Sequence, residues 1–287
     1  MTDNTQSPGA RVEIRLPTVQ QQRSNSTLQQ LLSRTKMRVV NRYAADVRPE
    51  MKILQSLTAA IAIALVFSVN TLQGQQTRAQ TVEVNLDKLT EQHPQNVKTE
   101  IVTYKGTKAL RVSDTAAPDV HDGIQLVVLD KTQFRDGTIQ IEMTGEPRPG
   151  AVTNGPRGFV GLAFRLHMDD KDVPNYECLY IRPTNGRADD QLRRNHATQY
   201  ISYPARPFFK LREEKPGVYE SYADMVAGEW TKVKITVHGN KAQLYVGDAS
   251  QPVLIVNDLT QTEGKIALWV GTETIAHFAH LRVTPGN

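Results

Sequence analysis

Beyond residue 80, apolar residues recur at every second position, and this rhythm restricts the fold more than any other feature of the chain. Thr138 to Thr144 alternates strictly, with Ile139, Ile141 and Met143 on one side. Phe159 to His167 does the same with Val160, Leu162, Phe164 and Leu166. Further alternating runs occupy 176–182, 199–203, 231–238 and 241–246, and apolar runs follow at 253–256, 265–270 and 276–283. Asp136-Gly137, Asn185-Gly186, Gly239-Asn240, Gly247-Asp248 and Glu263-Gly264 punctuate them. Successive side chains of a strand point to opposite faces, so each run offers one side to a core. Many short strands with regular turn signals and scarcely any helical pattern predict an all-β fold. The expected architecture is an antiparallel two-sheet β-sandwich, or jelly roll, with the apolar sides packed between the sheets.

Upstream of this body lies a different kind of sequence. Residues 1–50 are rich in Gln, Ser, Asn and Arg and hold Tyr43 as their one aromatic. Such a segment buries too little apolar surface to offset its ordering entropy, and it reads as a disordered leader. Met51-Lys52 then opens an apolar run from Ile53 to Val69, followed by the polar stretch Asn70 to Ala79. A basic start, an apolar centre and a polar end with small residues make 51–79 a signal helix, with cleavage after Gly74 or Ala79. Two readings follow. Either Met51 is the real first residue and 1–50 is a mis-assigned extension, or a basic tail precedes an uncleaved signal anchor. The first is preferred. In both, residues 80–287 work outside the cytoplasm, periplasmic or secreted, with a membrane involved only through an uncleaved anchor.

Charge narrows the function. The chain carries 34 basic and 30 acidic residues; ten and four of these lie at or before Arg78, which leaves 24 and 26 beyond it. The basicity thus belongs to the leader, and nucleic-acid binding, which needs a basic stripe, loses its support. Cys178 is the single cysteine, so no disulfide forms within the chain. An exported body of about 200 residues without disulfides depends on a sizeable core, and one domain fits that length.

The far end of the chain has a specific order of parts. Gly228-Glu-Trp-Thr-Lys-Val-Lys-Ile-Thr-Val-His-Gly-Asn-Lys-Ala-Gln-Leu-Tyr-Val sets a Trp before a strand, a tight turn and a second strand. Pro252-Val-Leu, Asn257-Asp-Leu, Gly264-Lys-Ile-Ala-Leu-Trp-Val and Ala279-His-Leu-Arg-Val follow. With Phe134-Arg-Asp-Gly-Thr-Ile-Gln-Ile-Glu and Gly158-Phe-Val-Gly-Leu-Ala-Phe-Arg upstream, this layout resembles the concanavalin A-like lectin/glucanase superfamily. It is most similar to laminin G-like members and to the 3-keto-disaccharide hydrolase domain family, over residues 81–285. The resemblance implies a concanavalin A-like sandwich with a carbohydrate or glycan-like ligand, and it admits a glycoside hydrolase or lyase.

Alternation names the residues that face away from the core: Phe159, Gly161, Ala163, Arg165 and His167 on one run, Tyr176, Cys178, Tyr180 and Arg182 on the next. Tyr200 and Ser202 are placed outward, opposite Ile201. Aromatic rings stack on sugar C–H faces while Arg and carboxylates bind hydroxyls. Arg165, His167, Tyr180, Arg182, Arg194 and Tyr200 are therefore the candidate ligand contacts. The competing reading is ordinary packing across neighbouring strands. The stretch Arg182–Tyr219, rich in Arg, Asp and aromatics, is a long insert of the kind that carries binding function.

Catalytic patterns are weak. The glucanase Glu-x-Asp-x-x-Glu strand is missing, since Met143-Thr-Gly follows Glu142, and no His-Glu-x-x-His occurs. Asn175-Tyr176-Glu177 resembles the Tyr-Glu step of the keto-disaccharide family, whereas Gly161-Leu-Ala-Phe stands where that family has Asn-Ser-Gly-Ile. For an enzyme, the acid/base candidates are Glu177, His196 and Asp170. A non-catalytic adhesion module is the third reading. No cofactor is implied. Asp169, Asp170, Asp172 and Asn175 offer oxygens for Ca²⁺, yet they lack EF-hand spacing and match standard hairpin residues, so the turn reading is preferred.

Overall fold

The alternation read from the sequence becomes two antiparallel sheets packed face to face. The structure, a computed structural model, describes residues 80–115, 124–151 and 158–286. The expected leader (1–50) and the expected signal helix (51–79) lie outside the described residues. The first sheet has the order β13 (Leu254–Val256), β12 (Lys241–Val246), β11 (Thr231–His238), β6 (Gly137–Pro147), β15 (Thr274–Pro285), β4 (Thr107–Asp114) and β3 (Val97–Tyr104). Its eighth strand, β1 (Val82–Glu83), pairs with β15. The second sheet runs β10 (Glu220–Ser221), β9 (Thr198–Tyr203), β8 (Pro174–Ile181), β7 (Val160–Met168), β14 (Gly264–Val270), β5 (Leu126–Phe134) and β2 (Gln92–Gln95). Three long strands, β3 to β5, lie upstream of the first alternating run recognised in the sequence.

Turn chemistry joins neighbouring strands. Lys105 and Gly106, at φ 47° and 79°, form the two-residue link from β3 to β4, and positive φ at both positions matches the right-handed twist of a hairpin. Gly239 (φ 57°) and Asn240 close the β11–β12 hairpin in the same number of residues.

Between the sheets, Ile139, Ile141 and Met143 of β6 share one core with Val160, Leu162 and Phe164 of β7, Leu179 and Ile181 of β8, and Ile266 and Leu268 of β14. Val233, Ile235 and Val237 of β11 complete the layer. Each such side chain, fully withdrawn from water, contributes about 1.5–3 kcal/mol before entropy is subtracted.

The seven-stranded sheet is apolar on its other face as well. Leu126, Val128, Ala163, Leu166, Tyr176, Cys178, Tyr180, Ile201, Ala267 and Trp269 form a second buried cluster there. Two orientations expected from alternation are corrected by this. Tyr200, opposite Leu179 in the register, points into the main core, as does its neighbour in parity Ser202, and Ile201 takes the outer side. A tyrosine is tolerated inside because its hydroxyl finds a partner in Glu177. Leu166 was expected inside and lies outside, because a bulge in β7 at Arg165 (φ 55°) shifts the register between Phe164 and His167.

The Arg182–Tyr219 insert is ordered into short elements. A 3-10 turn spans Pro183–Asn185, followed by helix α1 (Gln191–Asn195), β9 and helix α2 (Phe208–Glu214). Asp190 caps α1 by accepting from the Arg193 amide at 2.8 Å.

Candidate functional site

The outer face of the seven-stranded sheet divides into a closed half and an open half. In the closed half, Tyr180 stacks on Trp269 with ring centroids 4.6 Å apart. They meet above Gly161, where a Cβ would collide with the Tyr180 backbone. Arg182 lies over the rings of Phe159, Tyr180 and Phe208 at 5.0, 5.3 and 5.8 Å. Its guanidinium donates to the Tyr180 hydroxyl (3.0 Å), Gln199 Oε1 (3.1 Å), the His196 carbonyl (3.1 Å) and Glu220 Oε1 (3.3 Å). Glu220 also takes Arg212 and faces His196 Nε2 at 3.2 Å. The fold thus brings Tyr180, Arg182 and His196 together, and their polar groups are engaged with one another and with α2.

The remaining sequence candidates are dispersed. Arg194 is stacked on exposed Tyr222 at 4.9 Å and donates to its hydroxyl. Arg165 was expected on the groove and is instead turned by the β7 bulge toward the sandwich end. There it donates to the carbonyls of Arg135, Gln261 and Gly239 and pairs with Asp136 at 3.0 Å. Burial pulls its pKa below the usual arginine value, against the raising influence of Asp136. Glu177 is fully buried on the core side. It accepts from Tyr200 Oη (2.5 Å), the Thr260 amide (2.7 Å), Thr260 Oγ1 (2.9 Å) and the Gln261 amide (2.6 Å). Burial, and then the Glu177 carboxylate, raise the Tyr200 pKa. Glu177, Tyr200 and Arg165 therefore anchor the segment that leads from β13 into β14. Asp170 sits exposed in the β7–β8 turn, so Glu177, His196 and Asp170 do not share one site.

In that turn Asp169 Oδ1 accepts from the amides of Lys171 (2.9 Å) and Val173 (2.8 Å), an Asx closure. Among the described residues no three of His, Cys, Asp and Glu group so as to hold a metal ion.

The open half lies across β2, β5, β14 and β7, where a cleft of about 510 Å³ is present. Val128 and Leu166 contribute to its floor and belong to the same apolar cluster as Tyr176, against which Tyr203 stacks at 5.3 Å. His93, Gln95, Gln133, His167 and Lys265 supply polar groups, and Met168 is partly exposed beside them. Asp130 is held between Lys265 Nζ (2.8 Å) and His93 Nδ1 (2.5 Å). The hydrogen bond from Lys265, and secondarily that from His93, keep its carboxyl below the usual carboxylate range despite partial desolvation. Two bulges build this cleft: the one at Arg165, and a second in β14, where the register slips around Lys265. They turn Leu166 outward and set Lys265 beside it.

Of the cleft residues only His167 was singled out in the sequence. His93, Asp130 and Lys265 come from three strands far apart in the chain, and nothing local to any of them marks the others.

No protein-family model matches the chain, and no curated protein does. Solved structures with a similar chain path include the carbohydrate-binding module CBM66 from Bacillus subtilis, at 15% identity and TM-score 0.43, covering 67% of this chain and 98% of that one. A Bacillus subtilis protein of unknown function with a galectin-like fold matches at 12% identity and TM-score 0.45, over 71% and 98%. A Bacillus licheniformis β-glucanase matches at 14% identity and TM-score 0.39, over 74% and 95%. Matches of this size carry no argument, so function rests on the residues of this chain.

Proposed function

We propose that residues 80–286 form an exported body that binds carbohydrate in the open cleft of the seven-stranded sheet. The carrying observation is the cleft itself: about 510 Å³, floored by Val128 and Leu166 and edged by His93, Gln133, His167 and Lys265. An apolar floor suits the C–H face of a pyranose, and convergent side-chain donors and acceptors suit its hydroxyls. The signal-like segment 51–79 supports the exported reading.

The state of the carboxyl groups favours binding over turnover. A glycosidase acid needs a carboxyl whose pKa is raised. Asp130 in the cleft is pushed the other way by Lys265 and His93, Glu263, the second carboxyl of the lining, pairs with Arg135 at 3.3 Å, and Glu177 already accepts four hydrogen bonds away from the cleft. A glycan array with the full-length protein, followed by calorimetry on the best oligosaccharide, tests the proposal. His167→Ala and Asp130→Asn are expected to weaken binding about tenfold each, the loss of one or two hydrogen bonds. Release of reducing sugar from the bound glycan, or from a 3-keto-glycoside, would replace the binding reading by a hydrolase. Affinity untouched by both substitutions would remove the cleft as the site.

A further inference from the structure

We propose that the outer face of the eight-stranded sheet is a second binding surface, one that takes an anionic polysaccharide. Strand alternation turns Lys232 and Lys234 away from Val233 and Ile235, which lie in the core. The register then aligns Tyr245, Lys234, Gln140 and Arg282 in one row across β12, β11, β6 and β15. Strands are about 4.8 Å apart, so Lys234 and Arg282 rise from backbones roughly 10 Å apart with the Gln140 amide between them. They line a hollow of about 360 Å³.

The charges in this hollow divide into two kinds. Lys232 pairs with Asp248 at 3.1 Å and Glu142 Oε2 lies 3.2 Å from His280 Nδ1, so each of these four groups already has a partner within the hollow. Among the described residues no carboxylate pairs with Lys234 or Arg282, although both stand in the same hollow. Lys234 Nζ lies 3.8 Å from the centroid of the Tyr245 ring, a cation–π contact that holds the ammonium over the ring. Two cations in register, an amide between them and an aromatic ring at one end form a linear array. A polymer with one carboxylate or sulfate on successive sugars meets both cations at once.

Each exposed contact alone is weak. On one polymer the second contact becomes intramolecular, and repeated acidic groups raise the chance of rebinding. Nucleic acid is a poorer fit, because two unpaired cations fall short of a basic stripe and the part of the chain beyond Arg78 carries more acidic than basic residues. The surface faces away from the cleft, on the other sheet of the sandwich, so the two sites can be occupied independently.

Affinity electrophoresis of the full-length protein through gels containing polygalacturonate, dextran sulfate or neutral dextran tests the assignment. Retardation by a polyanion and none by dextran is expected. The double substitution Lys234→Gln, Arg282→Gln should weaken it at least tenfold, about 1.4 kcal/mol, while His167→Ala in the cleft leaves it unchanged. Arg187→Gln with Asp224→Asn removes an exposed pair outside the hollow at constant net charge and should also leave it unchanged. Stronger retardation by polygalacturonate assigns carboxylates, and stronger retardation by dextran sulfate assigns sulfates; either supports the proposal. Absence of retardation in both polyanions, retention that survives the double substitution, or an equal loss in the constant-charge variant would overturn it.

Discussion

Replacing Glu177 by Gln keeps the shape of the side chain and removes its charge where four donors converge. Tyr200, Thr260 (twice) and Gln261 all donate to this carboxylate, at 2.5–2.9 Å. Hydrogen bonds to a charged group contribute about 1.5–3 kcal/mol, against about 0.5–1.5 for neutral pairs. Weakening four of them by about 1 kcal/mol each gives ~4 kcal/mol, and relief from burying a charge offsets ~1–2 of that. The net expectation is a loss of about 2–3 kcal/mol, or a Tm lowered by about 4–12 °C for a unit of this size. Urea and thermal unfolding of the full-length protein read the loss directly. Calorimetry on the array-selected glycan should show affinity within about twofold of wild type, since Glu177 lies on the core side of its strand. An E177Q protein that unfolds like wild type yet loses glycan turnover or affinity would refute the anchoring role and restore Glu177 as a reacting group.

Arg182→Met should cost about 3–5 kcal/mol in urea unfolding, because it leaves Gln199, the Tyr180 hydroxyl and part of the Glu220 cluster without their buried donor. A loss below about 1 kcal/mol would show that the cluster is not stabilising. Stability should also fall on acidification through His277. Its burial, and then the charge of Arg111, lower its pKa from 6.5 to about 4. The unfolded chain therefore takes up that proton first, and stability present above about pH 6.5 declines toward pH 4 by about 2–3 kcal/mol. Urea unfolding of His277→Gln should lack this component of the slope; identical slopes in the two proteins would remove the assignment.

Much of the sandwich was legible because the eight-stranded sheet is wet on one side. There Ile139, Ile141 and Met143 alternate with polar neighbours, and the face of each residue follows from parity. The seven-stranded sheet is apolar on both faces, and alternation loses its meaning where Ile201 and Tyr200 are equally buried. Parity alone favoured Ile201 for the core, and only the distant Glu177 makes Tyr200 the inward residue. Bulges are the second blind spot. Arg165 leaves the expected face because one residue with positive φ resets the register behind it, and no turn residue announces this. The same slip, with its counterpart in β14, makes the cleft, so the site and the error have one cause. Tyr180 and Arg182 were correctly paired on one face, but what the sequence did not reveal was that Glu220, Gln199 and the Phe208 ring occupy their polar and aromatic surfaces.

The location of the sugar is tested most directly by following histidine side-chain resonances while a neutral, array-selected oligosaccharide is titrated into the protein. His93 and His167 border the cleft, and His280 stands on the opposite sheet. Saturable shifts at His93 and His167 with His280 unmoved are predicted. Shifts at His280 with His93 and His167 unmoved would contradict the account.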